Sequence, residues 1–212
     1  MKHQFDKLKV SRETLKDARE LYNKNETRLE KYIDNLLEWN YKINLVSRSV
    51  SRETLCEHVV HSLLPMQLGL IDAYDSWVDS GSGGGLPGIP LAITNPDKTF
   101  YLNDNVKKKM RAVDDIIQKA EVGNAETVAK SISLVDLKKG TGIVTKHAFK
   151  VDDLLRLLGS KPWKTIIMWK GVEGAVNEVT RSGKNLKFTL YEFDFGNEEE
   201  FYDGKGLLKI ER

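Results

Sequence analysis

The residues best suited to chemistry lie in one short segment, Trp77-Val78-Asp79-Ser80-Gly81-Ser82-Gly83-Gly84-Gly85-Leu86-Pro87-Gly88-Ile89-Pro90. Five glycines in eight positions, directly after an apolar run, let the backbone turn sharply and let a ligand approach without Cβ interference. Pro90 suits a first helical turn, where a missing N–H costs nothing. The segment therefore reads as a strand, a tight glycine turn and a helix. Such a turn can simply pack helix on strand, or it can hold a ligand. Gly83, Gly85 and Gly88 formally match Gly-x-Gly-x-x-Gly, which would suit a dinucleotide pyrophosphate and a nicotinamide-dependent oxidoreductase. Asp79 argues the other way: a carboxylate at the strand end repels a pyrophosphate and attracts a cationic ligand such as S-adenosylmethionine. A second acid, Asp104, follows Gly81 by 23 residues. That is close to the roughly 20 expected of a side chain that accepts hydrogen bonds from ribose hydroxyls. The two acids flanking a glycine turn favour an adenosyl cofactor without phosphate.

An alternation of strands and helices must position these residues. Strands are expected at 76–79, 99–103, 125–129, 142–144 and 165–169, with helices around Leu91 and over 106–120 and 151–158. This order predicts a parallel sheet covered on both faces. The runs 186–195 and 206–211, joined by the acidic turn Glu198-Glu199-Glu200, read as a hairpin that adds antiparallel edge strands. The first 70 or so residues read as helical: Leu29, Ile33, Leu36, Leu37 and Ile43 line one helix face over 27–43, and a second helix starts at the N-cap Ser51 and runs to Leu64, before Pro65.

A length of 212 residues fits one domain of generous size, or a domain with an added helical segment. Lys+Arg 33 against Asp+Glu 31 gives a net charge of +2, with 40% hydrophobic residues, so the chain is neither disordered nor a polycation. A nucleic-acid partner would be met through a local basic patch. Lys107, Lys108, Lys109, Lys146 and Lys170 fall near strand ends, while Glu198, Glu199, Glu200 and Asp203 fall in a loop expected to lie far from them. Cys56 is the single cysteine, which excludes an intramolecular disulfide and a thiolate zinc cluster and suits a reducing cytoplasm. No metal site is expected. The segment from Met1 to Lys7 lacks the apolar core of a signal peptide, and no apolar run approaches the roughly 20 residues of a membrane span. Trp39 and Trp169 read as core, Trp163 as a candidate for stacking on a base, His58 and His61 as packing residues between helices, and Cys56 as an inert buried thiol.

The residues carry a family resemblance. Trp39-Asn40 and Asn44-Leu45, then His58, Ser62 and Leu63, then the loop from Asp79 to Leu86-Pro87-Gly88-Ile89-Pro90-Leu91-Ala92-Ile93, Asp104 before Lys107-Lys108-Lys109, and Lys170-Gly171 follow one pattern over roughly residues 30–171. The chain resembles the bacterial 16S ribosomal RNA 7-methylguanosine methyltransferases, also called glucose-inhibited division protein B. The resemblance implies an α/β fold of the class I S-adenosylmethionine-dependent methyltransferases, Rossmann-like with a mostly parallel seven-stranded sheet over 71–212, and an N-terminal helical extension over 1–70. It implies a cytoplasmic, monomeric enzyme that transfers a methyl group from S-adenosylmethionine to N7 of a guanosine in 16S rRNA, as rRNA or as the 30S subunit, without metal or membrane. Carried over by position, Asp79 would lie near the methionine end of the cofactor, Asp104 near the ribose, and Gly81, Gly83, Leu86, Ile132, Ser133 and His147 along the same site. Lys107, Lys108, Lys109 and Lys170 would meet RNA phosphate.

Guanine N7 carries a lone pair in the neutral base, so no acid-base dyad is expected and positioning does the work, with His147 the one candidate for more. The chain departs from the pattern at three places. Ser131-Ile132-Ser133 stands for Arg-x-Glu, Lys146-His147-Ala148 for Ser-Arg-Ala, and His61 for an Asp. A diverged member that binds cofactor or rRNA without turnover, or with weak activity, is the alternative those departures raise.

Overall fold

Neighbouring residues of the central strands point into different cores. Trp77 packs with one apolar cluster and Val78 with the other, and the same alternation runs through Ile143 and Val144, Ile166 and Ile167, and Leu207 and Leu208. Period-two burial of both faces requires helices on both sides of a sheet. The computed structural model describes residues 4–181 and 186–212. Met1, Lys2 and His3, the start of the amino-terminal segment read above, lie outside the described residues, as do residues 182–185.

In chain order the elements are β1 (Gln4–Ser11), α1 (Arg12–Lys24), α2 (Glu26–Lys42), α3 (Arg52–Gln67), β2 (Ser76–Ser80), α4 (Gly88–Thr94), β3 (Thr99–Asn103), α5 (Lys107–Lys119), β4 (Ala125–Val128), β5 (Thr141–Lys146), α6 (Val151–Leu158), β6 (Thr165–Gly171), α7 (Val172–Arg181), β7 (Lys187–Asp194) and β8 (Lys205–Glu211). The strands form one sheet in the order β1-β7-β8-β6-β5-β2-β3-β4. All neighbours are parallel except β8, which is antiparallel to both β6 and β7. One cluster joins this sheet to α1 through α5 and the other to α6 and α7. The mixed α/β architecture with a mostly parallel sheet agrees with the expectation from sequence.

The structure corrects four details. Gln4–Ser11 is a strand where the sequence suggested helix: it pairs parallel to β7 from Gln4 with Lys187 to Ser11 with Asp194. Its side chains are mostly exposed, so no apolar alternation marks it. What holds it is the backbone ladder, with Lys7 and Lys9 paired to Glu192 and Asp194, each at 2.9 Å. The sheet thus has eight strands among the described residues. The hairpin strands β7 and β8 are interior, because β8 inserts between β6 and β7 and β1 takes the edge. Finally, α3 does not stop before Pro65 but runs through it to Gln67. Proline lacks the N–H that would bond the carbonyl four residues back. That carbonyl, of His61, instead accepts a hydrogen bond from the indole Nε1 of Trp169 at 2.9 Å, which ties α3 to β6.

Candidate active site

At the end of β2 the chain turns on Gly81, where φ is +74°; an added Cβ would sit 2.4 Å from Cβ of Ala148. The Gly81 and Ser82 amides donate to the carbonyl of Asn103 at 2.7 and 3.0 Å. Asn103 Nδ2 donates in turn to the carbonyls of Val128 and Lys130 at 2.9 and 2.7 Å, so one residue, through its backbone and its side chain, fastens the ends of β2, β3 and β4 together. Sequence reading missed Asn103. Its signal was its place one residue before Asp104.

The turn forms the bed of a cleft of about 740 Å³, within the range of small-molecule sites. Its roof is the loop after α2. Asn40 Oδ1 accepts from the amides of Leu45 and Val46 at 2.9 and 3.0 Å, and Nδ2 donates to the carbonyl of Ser47 at 3.1 Å. Leu45, Val46 and Ser47 line the cleft, and Gly84 lies so close beneath Leu36 and Leu45 that a Cβ there would reach to 2.7 Å of Leu36. Asn40 and Leu45, one from each of the two sequence pairs, are therefore the architecture of the roof, while Trp39 Nε1 donates to Asp115 of α5 at 2.7 Å.

On the side of β3 and β4, Asp104 lines the cleft and uses one lone pair of each oxygen within the protein: Oδ1 accepts from the Val106 amide at 2.9 Å and Oδ2 from the Gly83 amide at 3.3 Å. Its remaining lone pairs are available to a ligand. Gly81, Gly83, Leu86, Ile132 and His147 also line the cleft, as expected from sequence. Ser133 does not: it is exposed on the short 3₁₀ turn Ile132–Leu134, and Ser131 takes the wall position. Asp79 is not in the wall either. It is fully buried beneath the loop, with Oδ2 accepting from the Gly88 amide at 2.9 Å. Burial pushes its carboxyl up to about 7, against the pull of that amide and of Lys146. Asp79 therefore shapes the glycine turn from below.

On the other side, past β5, the wall is Lys146, His147, Ala148 and Phe149, with His58 of α3. Lys146 is buried, and its Nζ donates to the carbonyl of His58 at 2.7 Å and to Ser62 Oγ at 3.3 Å. Burial holds its pKa well below the usual lysine value. His61 is fully buried with neither ring nitrogen hydrogen-bonded, surrounded by Phe193, Phe201 and Tyr202 at 5.5 to 5.8 Å between ring centroids. It packs as the sequence suggested, whereas His58 reaches the cleft and leaves Nδ1 without a partner. His147, at φ +56°, faces His61 at 6.4 Å. Two departures from the family pattern are thus neighbours in space. Desolvation, with Lys146 next in weight, pushes His58 down to about 3 and His147 down to about 4, so both are neutral at pH 7.

Lys107 and Lys108 are exposed at the start of α5, and Lys109 lines the cleft; none has an ion pair among the described residues. Lys170 is different. Its Nζ is bonded to both carboxylate oxygens of Glu178 at 2.7 and 2.9 Å and to the Phe149 carbonyl, so its charge is spent inside the protein. Arg48, Lys130 and Lys150, on loops around the same mouth, are exposed with no ion pair among the described residues. The acidic turn is not remote: it follows β7 at the same end of the sheet, and the Gly204 carbonyl accepts the Val172 amide beyond β6. Two of its three acids are neutralised by α1, where Arg19 grips Glu199 with bonds of 2.6 and 2.7 Å and Arg12 meets Glu198 at 2.8 Å. Trp163 is buried beneath Arg212, among Lys139 and Lys164, and does not line the cleft, so it stacks on no base there. Among the described residues no group of three or more His, Cys, Asp or Glu side chains could hold a metal ion, and no helix is long and apolar enough to cross a membrane.

A family model described as rRNA small subunit methyltransferase G matches residues 25–188, well over half of the chain. The chain belongs to this family. A protein of Chlorobium phaeobacteroides named Ribosomal RNA small subunit methyltransferase G is 36% identical over 141 residues, covering 64% of this chain and 62% of that one. A protein of the same name from Flavobacterium psychrophilum is 39% identical over 136 residues, or 64% of each. The matches thus span just under two thirds of these relatives' length. Among solved structures, the O-methyltransferase from Bacillus cereus in complex with SAH superposes with a TM-score of 0.57 at 15% identity, covering 85% of this chain and 90% of that chain. The shared feature there is the class I methyltransferase fold. Family membership bears out the resemblance read from the glycine loop and its flanks, and it gives Asn40, Gly84 and Asp104 a common purpose in building one cleft.

Proposed function

We propose that the chain transfers a methyl group from S-adenosylmethionine to N7 of a guanosine in 16S rRNA, presented as rRNA or as the 30S subunit, in the bacterial cytoplasm. The observation that carries this reading is the cleft itself. It joins a glycine bed, a carboxylate with lone pairs to spare and an apolar wall at Ile132, and cations with no ion pair among the described residues ring its mouth. The fit to the cofactor rests on the same features. Gly81 and Gly83, both at positive φ, let the bed of the cleft turn tightly against Ala148 and the Leu45 carbonyl, and Asp104 offers acceptors for ribose hydroxyls. S-adenosylmethionine supplies an activated methyl on a sulfonium centre. Guanine N7 needs no deprotonation, so this chain's residues have to orient and to exclude water. Ile132 and Leu86 cover the apolar parts, the roof at Leu45 and Val46 closes over them, and neutral His147 borders the path by which a base would enter. Such positioning is worth on the order of 7 to 11 kcal/mol. N7 lies on the major-groove edge, so the target guanosine must be unstacked or exposed to reach the cleft.

The residues 1–70 and 71–212 fall into a helical extension and a catalytic sheet on this reading, with β1 as the exception that returns to the sheet. A monomer is the simplest acting unit. The test is a single-turnover assay with labelled S-adenosylmethionine and 30S particles or free 16S rRNA. One methyl per particle at guanine N7 is the expected result. Saturable cofactor binding with no transfer to either substrate would instead establish a binding member without turnover.

A further inference from the structure

The sheet order fixes which end of an elongated ligand meets which wall. The glycine turn after β2 sits in the middle, with Asp104 and Ile132 after β3 and β4 on one side and Lys146 and His58 on the other. With its ribose at Asp104 and its adenine on the apolar wall at Ile132, an adenosyl ligand extends its amino-acid end across the glycine turn toward β5. There the wall holds a buried amine with no ion pair among the described residues. Lys146 Nζ donates to the His58 carbonyl and Ser62 Oγ; burial disfavours the charged form, and in that form a third proton would be left for an anion to accept. Beside it, Nδ1 of His58 is buried without a partner. The acid nearest in the fold, Asp79, lies on the same face of the sheet two residues back in the β2–β5 register, and it is engaged with Gly88. Buried charge is stable only when paired. An anion entering from the cleft is the missing partner.

We propose that Lys146 binds the carboxylate of the ligand's amino-acid end, with His58 beside it. This assignment rests on the reading of the cleft as an S-adenosylmethionine site. The chain carries a lysine at the strand end where the family pattern has serine, followed by a neutral histidine where the pattern has arginine, and both residues line the cleft.

The experiment is calorimetry of the full chain with two ligands, S-adenosylhomocysteine and 5′-methylthioadenosine, which shares the adenosine and thioether but lacks the amino-acid carboxylate. The wild type is expected to bind S-adenosylhomocysteine at least 30-fold more tightly. Lys146→Met should cost most of that advantage while leaving methylthioadenosine affinity within about twofold, and Lys146→Arg should restore part of it. Retained methylthioadenosine binding also reports that the variant is folded. Equal loss of both ligands in Lys146→Met, or unchanged binding of S-adenosylhomocysteine, overturns the assignment. Decarboxylated S-adenosylhomocysteine tests the wild type without any variant, and affinity equal to that of the parent ligand overturns it as well. Failure of the wild type to bind any of these ligands would overturn the adenosyl reading itself, a result distinct from loss of the carboxylate preference alone.

Discussion

The two walls of the cleft solve opposite problems. On the Asp104 side the acid and the amide at the strand ends are engaged: the carboxylate holds the Gly83 and Val106 amides, and Asn103 holds three strand ends. On the Lys146 side, buried polar groups stand without partners at His58, His61 and Asp79 Oδ1. A satisfied wall is stable without a ligand, whereas an unsatisfied one carries a desolvation cost that a ligand can relieve and that protonation of its buried imidazoles adds to. The first wall should therefore set the geometry of the turn, and the second should respond to what enters the cleft and to pH.

The substitution that should break this contrast is Gly81→Ala, because Gly81 touches both walls. A non-glycine residue in the left-handed region costs about 1–2 kcal/mol, and pressing a methyl against Ala148 adds about 1–3 kcal/mol. Urea denaturation should show a loss of about 2–5 kcal/mol by those two effects together, and both adenosyl ligands should lose binding. A smaller effect is expected from Asp104→Ala, which removes an acceptor shared by protein and ligand. S-adenosylhomocysteine and 5′-methylthioadenosine should weaken alike in calorimetry, each by about 10- to 100-fold, from charged hydrogen bonds worth about 1.5–3 kcal/mol. Discrimination between the two ligands by Asp104→Ala would place the ribose elsewhere.

The glycine turn, Asp104 and His147 were placed at one site from sequence, whereas the exposure of Ser133, the burial of Asp79 and the partners of Lys146 and Lys170 were not, and the cause is range. The turn from Asp79 to Pro90 and its acid 23 residues beyond Gly81 are set by local backbone needs, which residue types report directly. Whether Asp79 faces the cleft or lies beneath it depends on where Gly88 returns, and spacing does not reveal that. Lys170 read as a phosphate ligand because its partner Glu178 lies on α7, a helix whose Gly174 and Asn177 hide it from propensity. The fate of the acidic turn depended on Arg12 and Arg19, about 180 residues away in sequence. Strand β1 was illegible for the same reason: an exposed edge held by its backbone has no apolar code.

The Lys146 side should also show itself in acid. His58, His61 and His147 have folded-state pKa values below the usual value of about 6.5, so the unfolded chain binds protons that the folded chain refuses. Their contribution is present above pH 6.5 and is lost as the pH falls toward 4 and 3. Asp79, raised to about 7, acts in the reverse sense, losing stability as the pH rises from about 4 to 7, but it is one group against three. Unfolding free energy should therefore fall between pH 6.5 and 4. His61→Phe, which replaces two orphaned nitrogens by apolar atoms of similar shape, should be neutral or stabilising at pH 7 and should remove up to about 1.4 kcal/mol per pH unit of that slope. Urea curves at pH 5 and pH 7 measure both effects, and an unchanged slope would mean that His61 is not the group refusing a proton.

The smallest effect separates cations that look alike in sequence. Lys109 lines the cleft with no carboxylate to neutralise it, while Lys170 is locked to Glu178. A lysine on an RNA phosphate releases bound counterions, so its removal lowers the slope of log affinity against log salt by about 0.7 for single-stranded RNA. Lys109→Ala should show that change with 16S rRNA, and Lys107→Ala and Lys108→Ala should each show part of it. Lys170→Ala should leave the slope alone and instead loosen the packing of α7 on β6, since it leaves Glu178 with the Val151 amide but without its counter-charge. A salt slope that falls for Lys170→Ala and not for Lys109→Ala would move the RNA track from the α5 side of the mouth to the β6 side. The unpaired Arg48, Lys130 and Lys150 would then be the next positions to compare, because they flank the mouth from three different loops.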